Sequence, residues 1–241
     1  MKCIAVVMAM GAEASPVLTA LGARSVTGHT RFPFLYFEAE RHGCRVLVTV
    51  NGRDRRHGVD SIGTEPAALN TYATIERFSP DVVISAGTAG GWERSGGAIG
   101  DVYLSDRHFV FHDRRIGIAE FSPYGVGSYA AAPVDSLATA LGLKTGIVTT
   151  GSSLDESAED RVMIEASGAC VKDMEAAAVA YVCEVMQVPM FAVKAITDLV
   201  DHHTATADQF NANLALASRR LAETMVKVVD FCAIRQVKDL G

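Results

Sequence analysis

Short runs rich in Val and Ile recur along the chain and constrain its fold more than any other feature. The runs are CIAVVMAM, RVLVTV, DVVISAG, DVYLSD, TGIVTTG and MFAVKAI. Sequence with helical periodicity lies between several of them, at 13–21, 66–78, 174–186 and 210–231. Strands that are apolar on both faces and alternate with helices are typical of an α/β fold with a largely parallel sheet. Loops are predicted at 51–58, 92–100 and 111–129.

Length, net charge and cysteine spacing argue against nucleic-acid-binding, membrane and metal-binding classes of protein. The chain has 241 residues and a formal net charge of −6, so no basic field favours a nucleic acid or an anionic membrane surface. The apolar segment at 3–10 is far shorter than the roughly 20 residues of a bilayer span. The five cysteines are widely spaced and include no CxxC pair. We therefore expect one cytoplasmic domain over 1–241, with neither nucleic acid nor membrane as a partner and no metal.

Two acidic residues flank one predicted helix and strand. Glu175 lies at the start of the helix at 174–186, which rises roughly 18 Å at ~1.5 Å per residue. Asp198 follows the strand at 190–196, which returns about 23 Å at ~3.3 Å per residue. The two carboxylates should therefore meet at one edge of the sheet, where open α/β sheets bind ligands.

Other strand ends carry small or polar residues as well. Glu13 follows the first strand, Thr88 lies in the turn GTAGG, and Ser153 follows TGIVTTG. Each of these residues also has a simpler explanation. GTAGG matches neither GxGxxG nor a P-loop and could be an ordinary tight connection. Glu175 could serve merely to stabilise a helix dipole, and Asp198 could merely form a turn. Only the combination of these residues indicates a site.

Seven motifs in order carry a resemblance to a known family. They are AMGAE, SIGTEPAAL, SAGTAGGW, FHDRRI, TTGSSLD, KDMEAAAVAYV and KAITDLVD. Together they resemble the methylthioadenosine/S-adenosylhomocysteine nucleosidases, plant-type branch, of the nucleoside phosphorylase superfamily. The resemblance implies a three-layer α/β/α sandwich with a central twisted, largely parallel mixed sheet. It also implies a homodimer, with the loop 111–129 near the interface.

The resemblance implies hydrolysis of the N-glycosidic bond of 5′-methylthioadenosine to adenine and 5-methylthioribose, a step of methionine salvage that needs no cofactor. Weaker activity on S-adenosylhomocysteine is expected. Such a reaction passes through an oxocarbenium-like ribose, so the base must be protonated and a water activated. Asp198 matches the proton donor to the adenine N7, and Glu13 matches the general base for the water.

The remaining site residues are implied in the same way. Glu175 matches the acceptor for the ribose hydroxyls, Met174 should lie against the sugar, and Thr88 helps to hold the water. Residues expected around the adenine, the ribose and the 5′-thioalkyl group are Ser153, Leu154, Phe210 and Ile62. Lys194 stands where bacterial members have Arg; as a point charge without the guanidinium fork, it can support a nearby carboxylate.

Two other functions stay open. A nucleoside phosphorylase would use phosphate in place of water, but the carboxylate of Glu13 would repel that anion. A non-catalytic nucleoside-binding or storage relative is the second, because a fold alone does not secure activity. Such a relative is expected to lack Glu13 or Asp198, and both are present.

Overall fold

A computed structural model of the chain describes residues 1–26 and 31–241. The strands are β1 (Cys3–Met8), β2 (Arg24–Ser25), β3 (Leu35–Arg41), β4 (Cys44–Val50), β5 (Val82–Gly91), β6 (Val102–Phe111), β7 (Tyr129–Ala130), β8 (Lys144–Thr150), β9 (Val171–Asp173) and β10 (Met190–Leu199). The helices are α1 (Gly11–Leu21), α2 (Thr64–Phe78), α3 (Ser122–Val126), α4 (Asp135–Leu141), α5 (Ala158–Ser167), α6 (Ala176–Val185) and α7 (Thr206–Ala233). Each predicted Val- and Ile-rich run overlaps one of these strands.

The strands form one mixed sheet in the order β10-β6-β8-β9-β5-β1-β4-β3-β2, with β7 beside β6. The pairs β1–β4, β1–β5, β5–β10 and β6–β8 are parallel, whereas β3–β4, β6–β10 and β5–β9 are antiparallel. The predicted α/β class and mixed sheet are therefore confirmed.

Helices cover the sheet on both faces. Alternate residues of β1 point into two separate cores: Ile4, Val6 and Met8 into one, Ala5 and Val7 into the other. The first core includes residues of α1, α4 and α7, and the second includes residues of α2 and α6. This alternation follows from the period of two along a strand.

The sheet also closes on itself, which the prediction of a simple layered sandwich did not include. β1 pairs with β5 only along Ile4–Val7, so the second half of β5 lies free of it. That half pairs with β10 on one side and with β9 on the other. The strands β5, β10, β6, β8 and β9 thus form a ring, and the site described below lies where β5 and β10 end.

Two further observations bear on the predictions. The segment 111–129 is not simply a loop, because it contains a 3₁₀ turn at Ala119–Phe121 and then α3. Among the helices of residues 1–26 and 31–241, none combines the length and apolar character that a membrane crossing requires.

Candidate active site

A cavity of about 370 Å³ opens where β1, β5 and β10 end and α6 begins. Glu175 and Asp198 both line it, as the helix and strand lengths predicted. Eight of the predicted site residues lie in its wall: Glu13, Ile62, Thr88, Leu154, Met174, Glu175, Asp198 and Phe210. Chain segments far apart in sequence are therefore brought to one place.

Glu13 lies in the first turn of α1 and is almost fully buried. Its Oε1 accepts hydrogen bonds from the Thr88 backbone N–H (2.9 Å) and from the Thr88 hydroxyl. Burial raises the pKa of Glu13, and these two bonds and the charge of Lys194 act in the opposite direction. Gly87 leaves room for the carboxylate, because a Cβ there would lie 3.3 Å from Glu13 Oε2.

Asp198 is placed by an irregularity in β10. The register with β5 shifts between Ile196 and Asp198, so Thr197 is the extra residue of a bulge and Asp198 lies opposite Gly90. Such bulges redirect side chains and are frequent next to active sites. The Thr197 hydroxyl donates to Asp198 Oδ1 at 2.8 Å. Burial raises the pKa of Asp198, while the Thr197 bond and the charge of Lys172 lower it.

Gly90 is required beside Asp198. A Cβ at position 90 would lie only 2.7 Å from Asp198 Oδ2 and 2.9 Å from Val200 Cγ2. The close approach of β5 to β10 therefore depends on the missing side chain. The prediction that GTAGG forms a turn was wrong, because these five residues lie within β5 and pair with β10.

Glu175 occupies the N-cap position of α6, but its side chain reaches across to the segment before α2 rather than capping the helix. Its Oε1 accepts the Gly63 backbone N–H at 2.9 Å, which leaves the rest of the carboxylate facing the cavity. Burial and the neighbouring charge of Asp173 raise its pKa. A carboxylate in this place can accept hydrogen bonds from two adjacent hydroxyls.

Lys194 and Asp173 form a buried ion pair below the cavity. Nζ and Oδ2 are 2.7 Å apart, and both side chains are at most 2% exposed. Asp173 also accepts bonds from the Thr150 hydroxyl (2.6 Å) and the Ala176 N–H (2.9 Å). Burial lowers the pKa of Lys194, but the charges of Asp173, Glu175 and Glu13 outweigh it, so the net shift is upward. Lys194 therefore holds a positive charge under three acids.

Comparison with known proteins identifies the family of the chain. The sequence pattern of the phosphorylase superfamily matches residues 3–230. The chain belongs to this superfamily. Within the phosphorylase superfamily, an Arabidopsis thaliana 5′-methylthioadenosine nucleosidase is 43% identical over 238 residues, which are 97% of this chain and 88% of that protein. A 5′-methylthioadenosine/S-adenosylhomocysteine nucleosidase of the same plant is 39% identical, over 98% of this chain and 94% of that protein.

Solved structures give the same result. This chain superposes on the apo structure of the Arabidopsis thaliana 5′-methylthioadenosine nucleosidase with a TM-score of 0.96. The two chains are 41% identical, and the superposition covers 99% of each. A second structure, titled as an MTA/SAH nucleosidase, has the same TM-score at 38% identity and the same coverage. The family resemblance predicted from the seven motifs is thus confirmed.

Two predicted residues of this superfamily member lie outside the cavity wall. Lys194 is behind it, against a smaller space that Glu13 and Glu175 also border. Ser153 is exposed, and its backbone carbonyl faces Lys172. Their predicted contacts with a substrate stay predictions.

Sequence reasoning missed several residues in the wall. They include Met10, Val59, Asp60, Lys172 and Asp173. Asp60 accepts the Gly11 N–H at 3.1 Å and so holds the start of α1. Lys172 and Asp173 stand in the KDMEAAAVAYV motif beside Glu175, so the motif itself was the signal that could have identified them.

Proposed function

We propose that this protein hydrolyses 5′-methylthioadenosine to adenine and 5-methylthioribose, with weaker activity on S-adenosylhomocysteine. The observation that carries the proposal is that Glu13 and Asp198, on separate elements, line one cavity. The names of the relatives at 43% and 39% identity support the choice of substrate. As both cores draw residues from much of the chain, between Ile4 and Leu240, we treat 1–241 as one nucleosidase domain.

The two acids suit opposite tasks. A buried Asp198 with a raised pKa retains a proton that it can deliver to the departing base. Glu13 then acts as the base that removes a proton from the attacking water, and Thr88 orients its carboxylate. Lys194 favours the ionised form of Glu13. Environment thus assigns an acid and a base to residues of similar chemistry.

The wall provides for the rest of the nucleoside. Glu175 accepts hydrogen bonds from the ribose hydroxyls, and Met174 lies against the sugar. Phe210 and Leu154 pack on the base, and Ile62 forms an apolar wall for the 5′-thioalkyl group. All five residues line the cavity, and Ile62 and Leu154 are 47% and 40% exposed in the free protein. Burial of this apolar surface would contribute to substrate binding.

Water is a better nucleophile than phosphate in this cavity. The charged residues in its described wall are five acids, Glu13, Asp60, Asp173, Glu175 and Asp198, and one lysine, Lys172. No arginine is among the described residues that line it. A phosphate dianion would therefore meet net repulsion.

The test is product analysis with purified protein. Incubation with 5′-methylthioadenosine should release adenine and free 5-methylthioribose at a rate that added phosphate does not change. Detection of the sugar 1-phosphate would instead establish a phosphorylase. Absence of adenine release with properly folded protein would favour the non-catalytic alternative. The same assay with S-adenosylhomocysteine gives the ratio of the two activities.

We also infer that the chain forms a homodimer with the segment 111–129 near the interface. Three of its apolar side chains are largely exposed: Ile118 (54%), Phe121 (53%) and Tyr124 (64%). Leu69 and Tyr72 on α2 and Tyr181 on α6 add further exposed apolar area. Several large apolar side chains left exposed in one short segment are what a protein interface would cover.

A further inference from the structure

Lys172 is a buried lysine at the cavity that the proposed reaction does not use. It is the central residue of β9, opposite Gly90 of β5 and Thr149 of β8, and is 6% exposed. It also borders a second cavity of about 570 Å³, whose wall includes Glu156, Arg161 and His202. Lys172 and Leu154 line both spaces and so separate them.

The ammonium group is held by backbone oxygens. Nζ donates to the Leu154 carbonyl at 2.6 Å and approaches the Ser153 carbonyl at 3.4 Å. Within the described residues, no carboxylate lies within ion-pair distance of Lys172. The acids whose charges act on it are Glu156, Asp198, Asp155 and Asp160. Burial of an ammonium group without an ion-pair partner costs free energy. A lysine in this position is therefore expected to have a role that offsets this cost.

The same segment is held from its other side by the FHDRRI motif. Asp113 accepts the Ser152 N–H at 2.6 Å, and a Cβ at Gly151 would collide with the ring of His112. His112 in turn makes a 3.0 Å hydrogen bond through Nδ1 with the Thr149 hydroxyl. The segment 151–154 therefore lies between two fixed supports, one of which is Lys172.

We propose that Lys172 is a positioning residue that fixes the Ser153 and Leu154 carbonyls, and thereby the wall of the cavity against which the base binds. This inference deepens the proposed function and rests on it. Loss of the amine would leave two carbonyls without their donor and release the segment. Binding of the base should weaken, whereas binding of the sugar, which contacts Glu175 and Met174, should not.

A second consequence concerns Asp198. Lys172 and Asp198 both lie opposite Gly90, so the lysine is placed to stabilise the carboxylate that remains after proton delivery. Lys172 is the charged group that lowers the pKa of Asp198, against burial, which raises it. Removal of Lys172 should therefore let Asp198 keep its proton to a higher pH. The alkaline limb of kcat should then move upward in pH.

The experiment compares Lys172→Met with Lys172→Arg and with the control Lys144→Met. Lys144 also donates to a backbone carbonyl, that of Gly96 at 2.7 Å, but is not in the cavity wall. Calorimetry should show about tenfold weaker adenine binding by Lys172→Met and unchanged 5-methylthioribose binding. Steady-state rates measured across pH should show the upward shift of the alkaline limb of kcat. Lys172→Arg should restore most of the adenine affinity and most of the original position of the alkaline limb. Lys144→Met should resemble the parent protein.

Each other outcome has a definite meaning. Equal losses of adenine and 5-methylthioribose binding, or an unmoved alkaline limb with normal adenine affinity, would overturn the inference. If Lys172→Met does not fold, Lys172→Gln serves instead: it keeps a donor, so adenine binding should fall less, but the limb should still shift. Adenine binding needs no turnover, so the absence of hydrolysis by the parent protein would refute the proposed function without deciding the role of Lys172.

Discussion

At the scale of residues, the candidate site depends on how little space surrounds its two acids. Glu13 and Asp198 are both buried, and both have a pKa raised by that burial. They differ in partners: Glu13 accepts two bonds from Thr88, whereas Asp198 accepts one from Thr197 and lies against Gly90. The first environment suits a base and the second an acid.

Asp198→Asn should abolish adenine release while 5′-methylthioadenosine binding survives in part, because the amide keeps the shape but has no acidic proton to give. Glu13→Gln should also fail at the chemical step. Adenine release under single-turnover conditions and equilibrium binding measure the two effects separately. Near-normal turnover by either variant would remove its residue from the mechanism.

The rate should depend on pH in a bell shape. Glu13 must be ionised to accept a proton, so kcat/KM falls as the pH drops through its raised pKa. Asp198 must be protonated to donate, so the rate falls again as the pH rises through its raised pKa. Both limbs should lie above the pH at which exposed carboxyls titrate. A profile that stays flat through neutral and mildly acidic pH would contradict this assignment.

Gly90→Ala should reduce kcat by about a hundredfold or more. The added Cβ would lie 2.7 Å from Asp198 Oδ2 and so would push the carboxylate out of position. Gly96→Ala, just after the 3₁₀ turn that follows β5, is the control for loss of a nearby glycine, since nothing lies within 4 Å of its Cβ, though its positive φ adds strain. Steady-state kinetics with circular dichroism distinguish the two. An active Gly90→Ala protein would mean that Asp198 tolerates displacement.

At the scale of elements, the sequence was most informative where apolar runs were continuous. β1, β4, β5, β8 and β10 are buried on both faces and were predicted, as were α1, α2, α6 and α7. β3 was not predicted, because the charged residues of LYFEAER interrupt the alternation of apolar and polar residues that marks a strand. Only its pairing with β4 reveals it as a strand. α5 has few buried residues, so its helical period is weak.

The candidate site was predictable only in part for a related reason. Glu13, Thr88, Glu175 and Asp198 follow strand ends or motifs that a linear sequence shows. The bulge at Thr197, by contrast, is a property of the pairing between β10 and β5, which no local pattern encodes. Lys172 was missed because its proposed role depends on hydrogen bonds to two carbonyls about twenty residues earlier in the chain, which no local pattern shows.

α5 also allows a test of helix capping. The Ser157 hydroxyl accepts the Asp160 N–H at 3.1 Å, and Asp160 accepts the Ser157 N–H at 2.9 Å, which completes a capping box. Ser157→Ala should lower the free energy of unfolding by about 1 kcal/mol. Urea denaturation measures the change, and Ser157→Thr, which keeps the hydroxyl, should lose much less. An unchanged free energy would mean that the box does not contribute.

At the scale of the whole molecule, the inferred homodimer is tested by sedimentation velocity. Phe121→Asp places a charge among exposed apolar side chains of the segment 111–129 and should convert dimer to monomer. Asp106→Asn, a change at a half-buried position of β6 outside that segment, should leave the dimer intact. A parent protein that sediments as a monomer at micromolar concentration would refute the inference.

The ring formed by β5, β10, β6, β8 and β9 has a consequence for local unfolding. β5 and β10 are bonded to neighbours on both sides, so neither can detach without breaking pairings around the closed circuit. Their amide protons should exchange with deuterium only through opening of the entire protein, at its full unfolding free energy. Those of β2 and β3, at the free edge of the sheet, should exchange through smaller fluctuations. The platform beneath the two acids would thus be the last part of the molecule to open.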